Sequence, residues 1–334
     1  MSIHIEGLER KLEETVKCWR DGWVGLSWRD YVIGHTKRVR NLVKVIGKSE
    51  GLDRLDILQL EIAAALHDIT KEFEGLQAKT DGQTVKDEDG LYLSEMVLPV
   101  RRNDVVDRYF ELYLGAEQSP TAVLHSKSGA KIAKWILLRK GLSQNYASEV
   151  AYLIKNHILP YDGIDKDRLF VMRQILKDAD IIDSSFGLNT FYRTALYRVR
   201  KQISEGKPTD DVYDLAVSFF EHMYEPTTNL DGSSKDCWVN RVGNSIETDI
   251  RTTTAKAIAQ KRHALMAKYG ARLEAEIDTG TKNGLMDTVV YFMQNHADPN
   301  PRRDFTEARK LYTANQDVRI FCDISLSEID CISF

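Results

Sequence analysis

With 334 residues, 43% of them hydrophobic and 29% charged, the chain has apolar material for one large core or two smaller ones. A formal net charge of −4 gives no basic footprint for nucleic acid, and no stretch approaches the roughly 20 apolar residues of a membrane span. The opening MSIHIEGLERKLEETVKCW turns charged at once, and Cys18, Cys237, Cys322 and Cys331 show no paired spacing, so the expectation is a cytoplasmic protein with reduced thiols.

Apolar positions recur at three- and four-residue intervals, which predicts helices over 5–20, 28–48, 56–73, 103–115, 120–140, 145–159, 167–183, 188–205, 209–224 and 245–277. Asp53 reads as the cap of the third helix, Ser119-Pro120 as the opening of the fifth, and Pro208 with Thr209 as the opening of the ninth. Residues 77–91 (QAKTDGQTVKDEDGL) and 225–243 read as loops, and 318–322 is the best strand candidate. The predicted class is therefore all-α. One helical domain over 20–277 carries the motifs within 28–205 and a closing helix at 245–277, and a small C-terminal appendage of unassigned role covers 278–334. The apolar tail of that appendage suits packing on something, a second copy of the chain included.

Four of the eight histidines fall at positions suited to a metal site. His35 lies in GHTKRVRNLV, His67 and Asp68 sit side by side in AAALHDITKEF, His125 lies in VLHSKSGAKIA, His157 in VAYLIKNHIL, and Asp180 in ILKDADIID. Imidazole and carboxylate together suit Mn, Fe, Co or Zn better than Ca. Each member has an ordinary structural reading. A His-Asp pair in a helix is common, a histidine on the apolar face of 145–159 is more often a hydrogen-bonded core residue, and Asp178 and Asp180 serve equally as solvated charges at a helix end. The ordered set carries the argument.

That set resembles the HD superfamily of metal-dependent phosphohydrolases: GHTKRV is similar to its first motif, AAALHDITK to its second, and LKDADIID to its last. LHSKSGA and KNHI resemble the extra histidine motifs of members that hold two metals, and residues 254–277 resemble a closing helix of bacterial members. The resemblance implies an HD-domain helical bundle in which His35, His67, Asp68 and Asp180 hold one divalent metal. Asp68 would bridge to a second bound by His125 and His157, the metals being Mn, Fe, Co, Zn or Mg. Asp178 is then a partner that steadies a ligand histidine, and the alternative for His125 is a hydrogen bond to substrate.

The activity so implied is hydrolysis of a phosphoester, phosphodiesters included, or a phosphoanhydride. The substrate would be a small phosphorylated molecule such as a nucleotide, attacked by metal-activated hydroxide. Asp68 and Lys71 are the expected catalytic residues. Arg38 and Lys71 fall one turn after His35 and His67, and with Lys127 they are the candidate phosphate contacts. For all three the competing reading is an exposed cation in surface ion pairs. Residues 69–124 are long enough to wall the site and to set substrate choice. Two other functions stay open on the same ligands: a di-iron oxygenase cleaving a C–P or C–C bond, and a metal-bound signalling protein without turnover.

Overall fold

Helical periodicity becomes helix almost everywhere in the computed structural model, which describes residues 4–19, 23–24, 27–159, 167–207, 211–228 and 233–330. The all-α class holds, with only short two-stranded pairs beside the helices. The chain divides into two compact units, Met1–Asp180 and Ile181–Phe334.

The first unit contains α1 (Ile5–Val16), α2 (Arg29–Ser49), α3 (Arg54–Leu66), α4 (Asp104–Leu112), α5 (His125–Arg139), α6 (Gln144–Asn156) and most of α7 (Arg168–Ser185). α2 lies along α3 and α5 along α6, while α3 also touches α1 and α6. The run Ile62 to Leu66 is wholly buried, so the second half of α3 has no solvent face and its alanines let neighbours approach. Asp53 caps α3 as predicted, accepting from the Leu55 and Asp56 amides at 2.8 Å.

Three boundaries differ from the periodicity. α3 stops at Leu66, not 73, and residues 71–73 form a short 3-10 turn. α5 starts at His125 rather than at Pro120, because the Pro120 carbonyl and the Ala122 amide pair with the Met96 amide and the Ser94 carbonyl. The loop at 77–91 includes a hairpin of β4 (Lys79–Thr80) and β5 (Gln83–Thr84). Asp81 and Gly82 both have positive φ there, the backbone that a two-residue turn of this kind requires. The other pairs in this unit are β1 (Trp23–Val24) with β2 (Ser27–Trp28), and β3 (Glu74–Gln77) with β6 (Ser94–Met96).

In the second unit α8 (Leu188–Ser204) packs against α9 (Val212–Tyr224), α11 (Thr253–Thr279), α12 (Leu285–Gln294) and α14 (Gln316–Asp330). α13 (Pro301–Leu311) packs on α14, and β7 (Thr227–Thr228) pairs with β8 (Ser234–Lys235). The predicted helix 245–277 is two helices: α10 (Trp238–Asp249) ends at the extended, buried Ile250, and α11 follows. The strand expected at 318–322 lies inside α14, where Val318, Phe321, Cys322 and Ser325 bury one helical face. Cys18, Cys237 and Cys322 are buried free thiols. Pro208, Thr209 and Cys331 lie outside the described residues. Among the described residues no helix is long and apolar enough to cross a membrane.

Candidate metal centre

Three of the four motif histidines stand at helix ends, and backbone groups left over there orient them. His67 is the C-cap of α3, and its Nδ1–H donates to the Ala64 carbonyl at 2.7 Å. His157 occupies the same place on α6 and donates from Nδ1 to the Ile154 carbonyl at 2.6 Å. Each bond satisfies a last-turn carbonyl and places the ring proton on Nδ1, leaving Nε2 as a lone pair. His125 is the first residue of α5, with Nδ1 2.9 Å from Glu74 Oε1 and 3.1 Å from Lys71 Nζ. His35 sits within α2, its ring stacked on Tyr31.

These rings converge, all within the first unit. The Nε2 atoms of His35 and His67 lie 3.3 Å apart, as do those of His125 and His157. Asp68 spans the two pairs: Oδ2 is 3.7 Å from His35 and 3.6 Å from His67, and Oδ1 is 3.5 Å from His125. Asp180 does the same from α7, with Oδ1 3.0 Å from His35 and 3.9 Å from His67, and Oδ2 3.9 Å from His157. Donor atoms of His35, His67 and Asp180 lie within 4.8 Å of one another, and so do those of His67, Asp68 and His157.

The donor set fits a divalent metal. A cation at His35 Nε2, whether a proton or a metal ion, relieves the acceptors that meet there. Between His125 and His157 the two Nε2 atoms face each other, and the Nδ1–H of His157 lies on the far side. With a bare nitrogen on each ring, the pair is repulsive until a cation joins it.

Electrostatics favour the same species. Burial pushes the Asp68 carboxyl up, but His67, His125, His35 and Lys71 outweigh it and hold it at about 2. Burial also opposes ionisation of Asp180, and the hydrogen bond and charge of His35 with His157 and His67 bring it far below the usual carboxylate range. Burial lowers His157 to about 3 against the pull of Asp180, so this ring is neutral. Ionised carboxylates and a neutral imidazole are what metal ligation needs.

Close backbone approach sets the spacing between pairs. A Cβ on Gly129 of α5 would lie 3.2 Å from the His67 carbonyl and 3.4 Å from Thr70 Oγ1. Thr70 Oγ1 also bonds Ser128 Oγ at 2.7 Å, which docks the start of α5 on the turn that carries His67 and Asp68.

The predicted cations take different places. Lys71 sits beyond the end of α3, not on a helix face shared with His67, yet its Nζ lies 2.8 Å from Glu74 Oε2 and 3.1 Å from His125 Nδ1. Burial opposes its charge, but Glu74 and Asp68 keep it protonated and raise its pKa. Arg38 is buried with its guanidinium 5.5 Å from the centre of the Tyr31 ring, in space that a Cβ on Gly34 would crowd at 2.9 Å. Lys127 faces the 77–91 segment and pairs with Asp87 at 2.8 Å and Asp89 at 2.5 Å. Asp178 is fully buried on α7. Arg102 and Arg108 of the 69–124 segment make surface pairs with Asp107, Glu117 and Glu111. Glu74 is the residue that the motif reading missed.

A family model of the HD domain matches residues 32–185. Residues 32–185 are an HD domain. The match takes in all six clustered ligand candidates, from His35 on α2 to Asp180 on α7. HD domains bind divalent metals. The crystal structure of a predicted HD superfamily hydrolase from an uncultured Thermotogales bacterium aligns with 82% of this chain and 92% of its own, at 20% identity and a TM-score of 0.40. No curated protein matches the chain.

Proposed function

We propose that the chain hydrolyses a phosphoester or phosphoanhydride bond of a small phosphorylated substrate, with nucleotides the first class to test. The observation that supports this most directly is the facing pair of Nε2 atoms on His125 and His157, 3.3 Å apart and beside Asp68. His35, His67, Asp68 and Asp180 would hold one divalent metal, and Asp68 with His125 and His157 a second. A metal in such a site supplies Lewis-acid polarisation of a phosphoryl oxygen and lowers the pKa of water.

The chain's own residues do the rest. Asp68 and Asp180 stay ionised in a buried setting, where charge acts through a low dielectric. Lys71 keeps an ammonium beside His125, placed to meet negative charge developing on phosphoryl oxygens. Arg38 and Lys127 are the further candidates for phosphate contact. Lys127 would exchange Asp87 and Asp89 for a phosphate.

Phosphate release from a panel of nucleotides and phosphomonoesters, with Mn²⁺ and with an Asp68→Ala control, tests the reading. Turnover by the wild type alone supports it. Silence across the panel with metal bound rejects it, and iron content with stoichiometric oxygen uptake would then assign the oxygenase chemistry.

A further inference from the structure

Glu74 is the first residue of β3, held by the pairing of that strand with β6, and its carboxylate is buried. Both oxygens are engaged. Oε1 accepts from the His125 amide at 2.6 Å and from His125 Nδ1 at 2.9 Å. Oε2 accepts from Lys71 Nζ at 2.8 Å. The amide bond serves α5, whose N-cap residue Leu124 offers no side-chain cap, and a carboxylate at a helix N-terminus is electrostatically favourable. The Nδ1 bond does something a cap alone does not. It offers Nδ1 an acceptor that favours a proton on the side away from Asp68 and His157, in competition with the Lys71 ammonium 3.1 Å from the same nitrogen.

We propose that Glu74 is a positioning residue that sets two members of the site at once. It holds His125 in the tautomer whose bare Nε2 faces Asp68 and His157, and it holds the Lys71 ammonium beside that ring. Without an acceptor at Nδ1 the ring can carry its proton on Nε2, pointing at Asp68 Oδ1 3.5 Å away, where a cation would bind. Without the carboxylate, Lys71 loses the partner that draws it towards His125. The inference rests on the proposed roles of His125 as ligand and Lys71 as phosphate contact.

Three variants of the full chain separate these effects. Glu74→Met keeps the volume and removes the acceptor, Glu74→Ala leaves room for water if the Met variant does not fold, and Glu74→Gln keeps one oxygen for His125 while losing the charge that holds Lys71. Long-range ¹H–¹⁵N spectra of ¹⁵N-histidine-labelled protein at mildly alkaline pH report the tautomer, and calorimetric titration with Co²⁺ reports metal affinity. The expected result is a bare Nε2 on His125 in wild type and Glu74→Gln, and an Nε2–H form in the variant without an acceptor. In that variant the weaker Co²⁺ equivalent loses about 10–100-fold in affinity, as partners that orient metal ligands usually do when removed. Glu74→Gln should bind Co²⁺ like wild type and turn over more slowly. An unchanged His125 tautomer with unchanged Co²⁺ binding in the Met or Ala variant overturns the proposal and leaves Glu74 a helix cap. If no substrate is hydrolysed while the tautomer and Co²⁺ results hold, the positioning of His125 stands and the phosphohydrolase reading falls.

Discussion

Asp68 is the most informative residue to change, because its two oxygens lie 3.5–3.7 Å from imidazoles of both pairs. Asp68→Asn preserves its volume and removes the charge. Loss of a partner that merely orients a metal ligand costs about 10–100-fold in affinity, so loss of the shared ligand should cost at least about 100-fold. At a metal concentration of about 100 Kd, binding stabilises the wild type by about 2.7 kcal/mol. At that same concentration a variant weakened about 100-fold keeps only RT ln 2, about 0.4 kcal/mol. A domain of this size shifts its melting midpoint by about 2–4 °C per kcal/mol, so Mn²⁺ should raise the wild-type midpoint by about 5–11 °C and the variant's by about 1–2 °C. Differential scanning calorimetry of chelator-treated protein before and after Mn²⁺, with bound metal counted by plasma mass spectrometry, measures both. A variant that keeps the full rise, or its full metal content at wild-type affinity, refutes the bridging role. A wild type with no rise refutes the metal centre itself.

Lys71→Ala should lower kcat by about 10²–10³, the usual cost of one donor to developing charge, with metal content unchanged. Loss of metal in that variant would contradict a role towards substrate. Gly129→Val should cost about 1–3 kcal/mol by overpacking α5 against the His67 carbonyl, read as a lower urea midpoint, and an unchanged midpoint would remove Gly129 from the account of spacing. Glu74 gives a pH signature. Burial opposes its charge, but His125 and Lys71 hold its carboxyl far below the ordinary 4.5. A depressed carboxylate contributes stability that is present above its unfolded pKa and lost as pH falls through its native one. The stability gap between wild type and Glu74→Gln, measured by urea at constant chelator, should therefore be open at neutral pH and narrow below about pH 4.5. A gap that widens on acidification would show that the Glu74 pairs do not stabilise the native chain.

The helical class and the motif around each candidate ligand were legible because both are local. Three- and four-residue apolar spacing marks a helix wherever it occurs, and the contexts of His35, His67-Asp68, His125, His157 and Asp180 are short motifs. What the sequence hides is decided by groups distant along the chain. Lys71 is a partner of Glu74 three residues away, but only the approach of α5 brings it His125, 51 residues on. Pro120 resembles a helix opening until the amide of Met96 takes its carbonyl. Lys71 was placed near the metal motif on the supposition of a continuous helix. It reaches the site from beyond the helix end, through Glu74. The turn at 81–82 did have a local signal, the Asp-Gly pair, within a segment otherwise read as loop.

Helix termination is itself part of the site. In an uninterrupted α3 the Ala64 carbonyl would accept the amide four residues on, that of Asp68. Here the ring of His67 donates to that carbonyl, three residues back, and His157 repeats the arrangement with Ile154. At the other kind of helix end, the first amide of α5 goes to Glu74, whose same oxygen fixes the ring of His125. Carbonyls of the last helical turn thus help to choose the tautomers of His67 and His157. Prolonging α3 by one turn would bring the Asp68 amide to the Ala64 carbonyl beside the ring of His67, whereas the Ile154 carbonyl already accepts both the amide and the ring of His157.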